Sequence, residues 1–223
     1  MVNNYYTLFS IVQEIRKTLC GKMIAEIYTQ ERETLIVSCT NAAKSLLVRC
    51  VPAQNALFLK TTTRAARNTK DLLSAATGAT IVSCDIATES REILLLLSNE
   101  LRVVIQLFGS KANVLLINQQ NTVIDTFLAK NTALGSQYVP PPLAGERLSP
   151  MKISFPRTTS DDMLVQFLRH KFPMFGLTLV REALCRAGFA EESKLSALTE
   201  SEIERVEVIC NSIIAELSEK PSP

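Results

Sequence analysis

The side chains whose grouping carries chemistry in this chain are cationic. Arg64, Arg67 and Lys70 fall close together, Arg169, His170 and Lys171 are consecutive, and Arg181 and Arg186 follow. Clustered Lys and Arg neutralise phosphates where a polyanion is bound, and they are also what an ordinary solvated face carries. The chain as a whole offers no strong field, because 24 Lys and Arg oppose 22 Asp and Glu for a net charge of +2. Binding of a nucleic acid would therefore rest on local clusters.

Residue types suited to catalysis or metal binding are sparse. No glycine-rich phosphate loop, nucleophile elbow or paired-histidine zinc motif occurs. A triad would have to use His170, the one histidine, which sits at the polar end of a helical pattern. Cys20, Cys39, Cys50, Cys84, Cys185 and Cys210 include no Cys-x-x-Cys pair, which argues against structural zinc. Most lie inside apolar runs, where cysteine packs as a small hydrophobe, so a reduced, cytoplasmic protein without cofactor or metal is expected. The N-terminus lacks secretory patterning, and the Leu94–Leu97 run is too short to span a bilayer.

The elements that must position these side chains change character along the chain. Leu8, Val12, Ile15 and Leu19 predict an amphipathic helix capped by Asn3 or Asn4 and closed by Gly21. KMIAEIYTQ, ETLIVSCT, KSLLVRCV and ALFLK read as strands, with a hairpin turn at Glu31–Arg32. A short polar helix is predicted from Asn68 to Thr77, ending at Gly78. TIVSCDIA, EILLLLS, LRVVIQLF, ANVLLIN and TVIDTFL then follow with connections too short for parallel crossovers, so they predict an antiparallel meander. Five prolines between Leu134 and Pro156 predict a linker. Helices follow: one capped by Ser160-Asp161-Asp162 and running to Lys171, a tight turn at Pro173–Gly176, and one over 177–187 stopped by Gly188. A third opens on the Thr199/Glu202 capping box. Ile203, Val206, Cys210, Ile213 and Leu217 on the third fit either an ordinary amphipathic face or the start of a coiled coil.

FGSKANVLLIN (Phe108–Asn118) and GSQYVPPP (Gly135–Pro142) together resemble the NFACT family, the N-terminal module of fibronectin-binding-protein-A-like proteins, understood mainly as ribosome quality-control factors. Gly109, Asn113 and Asn118 match one family motif, and Tyr138 with its prolines matches another. Phe167–Phe189 is similar to the family's helix-hairpin-helix region, though only Gly176 of the usual two glycines is present. Family members that extend stalled chains carry an Asp-Arg pair where this chain has Ser90-Arg91. A serine offers the guanidinium a weaker partner than a carboxylate does.

The resemblance implies an α+β fold: an antiparallel two-sheet sandwich with flanking helices over 1–145, similar to the N-terminal domain of formamidopyrimidine-DNA glycosylases. A small all-helical, helix-hairpin-helix-like domain over 146–223 would follow, its last helix either packed on its own domain or leading into a coiled coil. Glycosylase chemistry is not expected, since Met1-Val2 replaces the catalytic Pro and Glu. The implied function is a non-enzymatic module that binds tRNA and the large ribosomal subunit. Its candidate RNA contacts are Arg64, Arg67, Lys70, Arg91, Lys111, Asn113, Arg169 and Lys171. The alternative is a fibronectin- or fibrinogen-binding adhesin.

Overall fold

The structure, a computed structural model, describes residues 4–52, 54–61, 70–87, 90–107, 111–129, 134–140, 150–155 and 161–219. The chain divides into two compact units, Ile11–Pro141 and Asn4–Ser10 with Pro142–Pro223.

The first unit holds two sheets. Strands β1 (Ile24–Glu31), β2 (Thr34–Cys39), β3 (Lys44–Arg49), β4 (Ala56–Thr61) and β5 (Lys70–Asp71) form one, in the order β4-β3-β2-β1-β5. Strands β6 (Ile81–Ile86), β7 (Ile93–Leu97), β8 (Arg102–Gln106), β9 (Asn113–Ile117) and β10 (Val123–Thr126) form the other, in the order β10-β9-β8-β7-β6. Every pairing is antiparallel, and in the second sheet each strand lies beside its neighbours in sequence, so the expected meander is what forms. The β1–β2 hairpin turns where the charged residues placed it.

Short connections force left-handed backbone at their tips: Glu100 (φ 62°) between β7 and β8, and Asn121 (φ 61°) between β9 and β10. Asparagine tolerates this region because its side chain bonds locally. β9 is buried at every position and β2 at all but its first, so both faces of each strand are covered. This matches their unbroken apolar runs.

Helix α1 (Tyr5–Leu19) is capped by Asn4, whose Oδ1 accepts from Thr7 N at 2.7 Å, and Gly21 follows it at φ 81°. Its Ile11–Leu19 part buries Val12, Ile15 and Leu19 completely. Glu14 pairs with Lys44 of β3 at 2.8 Å, and Arg16 pairs with Asp85 of β6. Both pairs are half-exposed, so each stabilises by about 1 kcal/mol at most; the apolar stripe fixes the helix.

The helix expected over 68–77 does not form in the residues described. Lys70 and Asp71 pair with Thr29 and Tyr28 as a short edge strand, and Ser74–Ala76 makes one 3-10 turn. Leu73 decides the outcome: it is fully buried and holds left-handed backbone (φ 48°), which a continuous α-helix cannot accommodate. Gly78 ends the segment at φ 84°, as expected.

In the second unit α2 (Leu164–Lys171), α3 (Gly176–Ala187) and α4 (Glu200–Glu219) pack around aromatic side chains. Tyr6 meets Phe175 edge-on at 6.2 Å, and Phe155 stacks on Phe167 at 5.2 Å. The Tyr6 hydroxyl donates to the Pro150 carbonyl at 2.5 Å, satisfying a polar group that would otherwise be buried unpaired. Asn211 of α4 clasps Ile153 through both backbone groups, at 2.9 and 2.8 Å.

The Thr199/Glu202 capping box forms: Thr199 N donates to Glu202 Oε2 at 2.8 Å and Glu202 N to Thr199 Oγ1 at 3.4 Å. Gly188 takes φ 77°, and Phe189 N reaches the Leu184 carbonyl at 2.9 Å, which is a Schellman ending. The cap expected on α2 does not form. Met163 occupies the cap position, and the Asp161 carboxylate binds Lys194 Nζ and Ser196 Oγ at 2.8 and 2.9 Å instead. A cation and a hydroxyl brought in by the fold outcompete the local amides. Val206, Cys210 and Ile213 of α4 are buried within the unit, so this stretch of the seam serves as an amphipathic face.

Candidate functional site

Three sequence features that were separate along the chain converge on one face of the second sheet. The register pairs Ile93 with Ile105 and Gln106 with Asn113, so Glu92, Gln106 and Asn113 form a polar row across the ends of β7, β8 and β9. Leu94, Val104, Leu115, Ile117 and Val123 form an apolar floor beside that row, with Tyr138 lying on it.

Glu92, at the β7 end of the row, is 2% exposed. A carboxylate cannot be buried cheaply without donors. Here Tyr138 OH donates to Oε2 at 2.6 Å, Gln106 Nε2 donates to Oε1 at 2.7 Å, and Ser90 Oγ lies at 3.5 Å from Oε2. The Ser90 hydroxyl also accepts from Glu92 N at 3.2 Å, and Ala87 N donates to the Glu92 carbonyl at 2.9 Å. The backbone at Arg91 is thereby pinned on both sides by buried, hydrogen-bonded neighbours. Arg91 itself is half-buried.

Tyr138 is held at both ends. Its backbone N donates to Asn121 O at 2.8 Å, and Asn121 Nδ2 donates to its carbonyl at 2.7 Å. Arg102 Nη2 in turn donates to Asn121 Oδ1 at 2.6 Å. Burial first, then the hydrogen bond to Glu92 and that carboxylate's charge, push the phenol's pKa above its ordinary value. Residues 135–138 therefore belong to the sheet: Gln137 bridges Thr122, and Gly135 N bonds Val123 O.

The candidate contacts among the described residues stand on different elements. Arg91, Lys111 and Asn113 lie at the same end of the second sheet, by strand register. Asn113 is 2% exposed and spends its amide internally, donating to Thr126 Oγ1 and Leu128 O at 2.8 and 2.9 Å and accepting from Val114 N and Leu128 N at 2.9 Å each. It shapes the β9 start, and an RNA cannot reach it without opening that turn. Lys111 is exposed. Lys70 stands on β5 of the first sheet, and Arg169 and Lys171 are exposed in the last turn of α2, where cations offset the helix dipole. Arg64, Arg67 and Gly109 lie outside the described residues.

Glu92, Gln106 and Arg102 are the members of this cluster that sequence reasoning missed. An acidic residue at the head of ILLLL looks like a solvated strand end. The available signal was the period of two that puts Glu92 on the side of Leu94, under the Tyr138 segment.

The remaining reactive groups are buried or dispersed. All six cysteines are free thiols. Burial pushes Cys39 up to about 11 and Cys84 and Cys210 up to about 12, well away from a nucleophilic thiolate. Among the described residues no three His, Cys, Asp or Glu side chains come together to hold a metal. No described helix is long and apolar enough to cross a membrane.

Among solved structures, the chain is similar to the N-terminal domain of fibronectin-binding protein PavA from Streptococcus pneumoniae, with TM-score 0.67 and 19% identity over 81% of this chain and 78% of that one. It is similar to the fibrinogen-binding protein from Staphylococcus aureus, with TM-score 0.72 and 17% identity over 99% and 84% of the two chains. The N-terminal part of the fibronectin/fibrinogen-binding protein from Streptococcus suis gives TM-score 0.70 and 16% identity over 93% and 84%. At such identities these likenesses establish the fold alone. Sequence comparison with curated proteins gives no match. The model of the NFACT N-terminal and middle domains matches residues 4–223, which include the Ser90-Arg91 turn, the Asn113 strand and the Tyr138 closure. The chain thus belongs to the NFACT family, which is linked in general to ribosome quality control.

Proposed function

We propose that the chain is a cytoplasmic, non-enzymatic RNA-associated module that binds tRNA and the large ribosomal subunit on stalled complexes. The observation that carries this is the setting of Arg91: family membership is joined to a guanidinium mounted on backbone fixed by buried Ser90 and Glu92. A cation on a preorganised mount binds phosphate with little ordering cost. Lys111, exposed at the same sheet end, extends the positive surface. Within this reading the two sheets form a sandwich similar to the glycosylase N-terminal domain, and α2 and α3 form a helix-hairpin-helix. Ser90 replaces the family's Asp and directs its hydroxyl to Glu92, which disfavours chain tailing by this protein.

A second reading, fibronectin or fibrinogen binding, is favoured by one observation: the structural relatives named above carry those activities in their names. Affinity purification of the full-length protein from its host, followed by a sucrose gradient, separates the two. Co-migration with large subunits, weakened by Arg91→Glu with Lys111→Glu, supports the first. Recovery only at the cell envelope supports the second.

A further inference from the structure

The first sheet carries a groove on the face opposite its core. Leu35, Val37, Leu46, Val48 and Leu57 are buried on the core side, each no more than 2% exposed. On the other side the register lines up Tyr28, Ile36, Leu47 and Phe58 as one apolar row across β1 to β4. Tyr28 and Ile36 are buried, whereas Leu47 and Phe58 are half-buried, so the row opens to solvent over β3 and β4. A cavity of about 320 Å³ lies there, lined by Ile36, Leu47, Phe58, Arg49, Lys60 and Glu31 among others. That volume falls in the range of roughly 300–1,000 Å³ that small ligands occupy.

Charge is placed on both sides of the aromatic ring. Arg49 pairs with Ala56, two residues to one side of Phe58 on β4, and Lys60 lies two residues to the other side. At the rise of an extended strand the two cations stand about 13 Å apart along the strand direction. Both are exposed, with their backbones paired in the sheet and their side chains in no hydrogen bond or ion pair with another described residue. Glu31 is the one anion in the lining named above, and Thr34 Oγ1 donates to it at 3.5 Å. The groove therefore keeps a positive excess around a ring face.

We propose that this groove binds a single-stranded nucleic acid segment, with one base laid on Phe58 and the flanking phosphates held by Arg49 and Lys60. An apolar partner would leave the two cations unmatched, and an acidic peptide would leave the aromatic floor unused; a single strand uses both features. The groove is on a different sheet from Arg91 and is argued independently of it.

The test is fluorescence anisotropy of a labelled, non-pairing RNA hexamer on the whole chain at about 50 mM salt. Phe58→Ala should weaken binding about tenfold or more, and Phe58→Trp should retain it, because any large ring supports stacking. Arg49→Gln with Lys60→Gln should lower the log–log salt slope by roughly 1.4, about 0.7 per lost contact on a single strand. These two cations are exposed, so the double variant decides the matter even where Phe58→Ala fails to fold. Absence of hexamer binding, equal affinity for a duplex of the same length, or an unchanged salt slope in the double variant would overturn the proposal. Loss of binding in Arg91→Gln without loss in Phe58→Ala would also overturn it and assign the hexamer to the β7 end.

Discussion

Replacing Tyr138 by Phe removes one oxygen and leaves a buried carboxylate short of a donor. The ring stays on Val104, Leu115, Ile117 and Val123, so the packing contribution is nearly unchanged. What is lost is a 2.6 Å hydrogen bond to Glu92, which is 2% exposed and so has no ready access to replacement water. Hydrogen bonds to charged groups contribute about 1.5–3 kcal/mol, and Tyr138→Phe should cost that much in urea unfolding at pH 7. In a chain of this size the melting temperature should fall by about 4–8 °C for 2 kcal/mol. Combined with Glu92→Gln, the double-mutant cycle should return a coupling of at least about 1 kcal/mol. The pH dependence supplies a second check. A phenol whose folded pKa is raised stabilises fully below its unfolded value, about 10, and that stability drains away as pH rises towards the folded pKa. The deficit of Tyr138→Phe should therefore shrink above about pH 10. A deficit under about 0.5 kcal/mol at pH 7 would refute the view that Tyr138 satisfies Glu92.

Other expectations follow from the same geometry. Ser90→Asp places a second carboxylate beside buried Glu92 and should destabilise the fold by about 1–3 kcal/mol in urea unfolding at neutral pH; equal stability would show that the loop relaxes. Thr199→Ala removes the hydroxyl that accepts from Glu202 N, leaving the Thr199 N to Glu202 Oε2 bond in place, and should cost about 1 kcal/mol in a thermal or urea melt. Gly188→Ala meets open space but a left-handed backbone, so its cost, about 1 kcal/mol by the same melt, is conformational alone. With a thiol reagent on the native protein, exposed Cys185 should react first and Cys39, Cys84 and Cys210 slowly, while all six should titrate after denaturation without reductant.

The strands were legible because IVSCDI, ILLLL and NVLLI are largely apolar and short connections left only antiparallel pairing, although Val82 and Leu96 stay exposed and only NVLLI of the three is covered on both faces. Helix ends were legible where the satisfying group is local, as at Asn4, Gly188 and Thr199. The failures share one cause. Asp161 was drawn to Lys194 and Ser196, and the stretch at Leu73 bends to bury a leucine against distant residues, so the deciding partner is remote in sequence. The polar row is the same case. Ser90, Arg91, Asn113 and Tyr138 were each visible, but Glu92 and Gln106 acquire meaning only through cross-strand register.

The meander topology also sets an order of assembly. Each strand of the second sheet pairs with the strand made just before it, so loop-closure entropy is small and the hairpins from β6 to β10 can form in succession as the chain lengthens. Tyr138, which reaches Glu92 across 46 positions, comes last. It should act as a latch with little weight in the folding transition state. Its removal should then accelerate unfolding while leaving the folding rate almost unchanged.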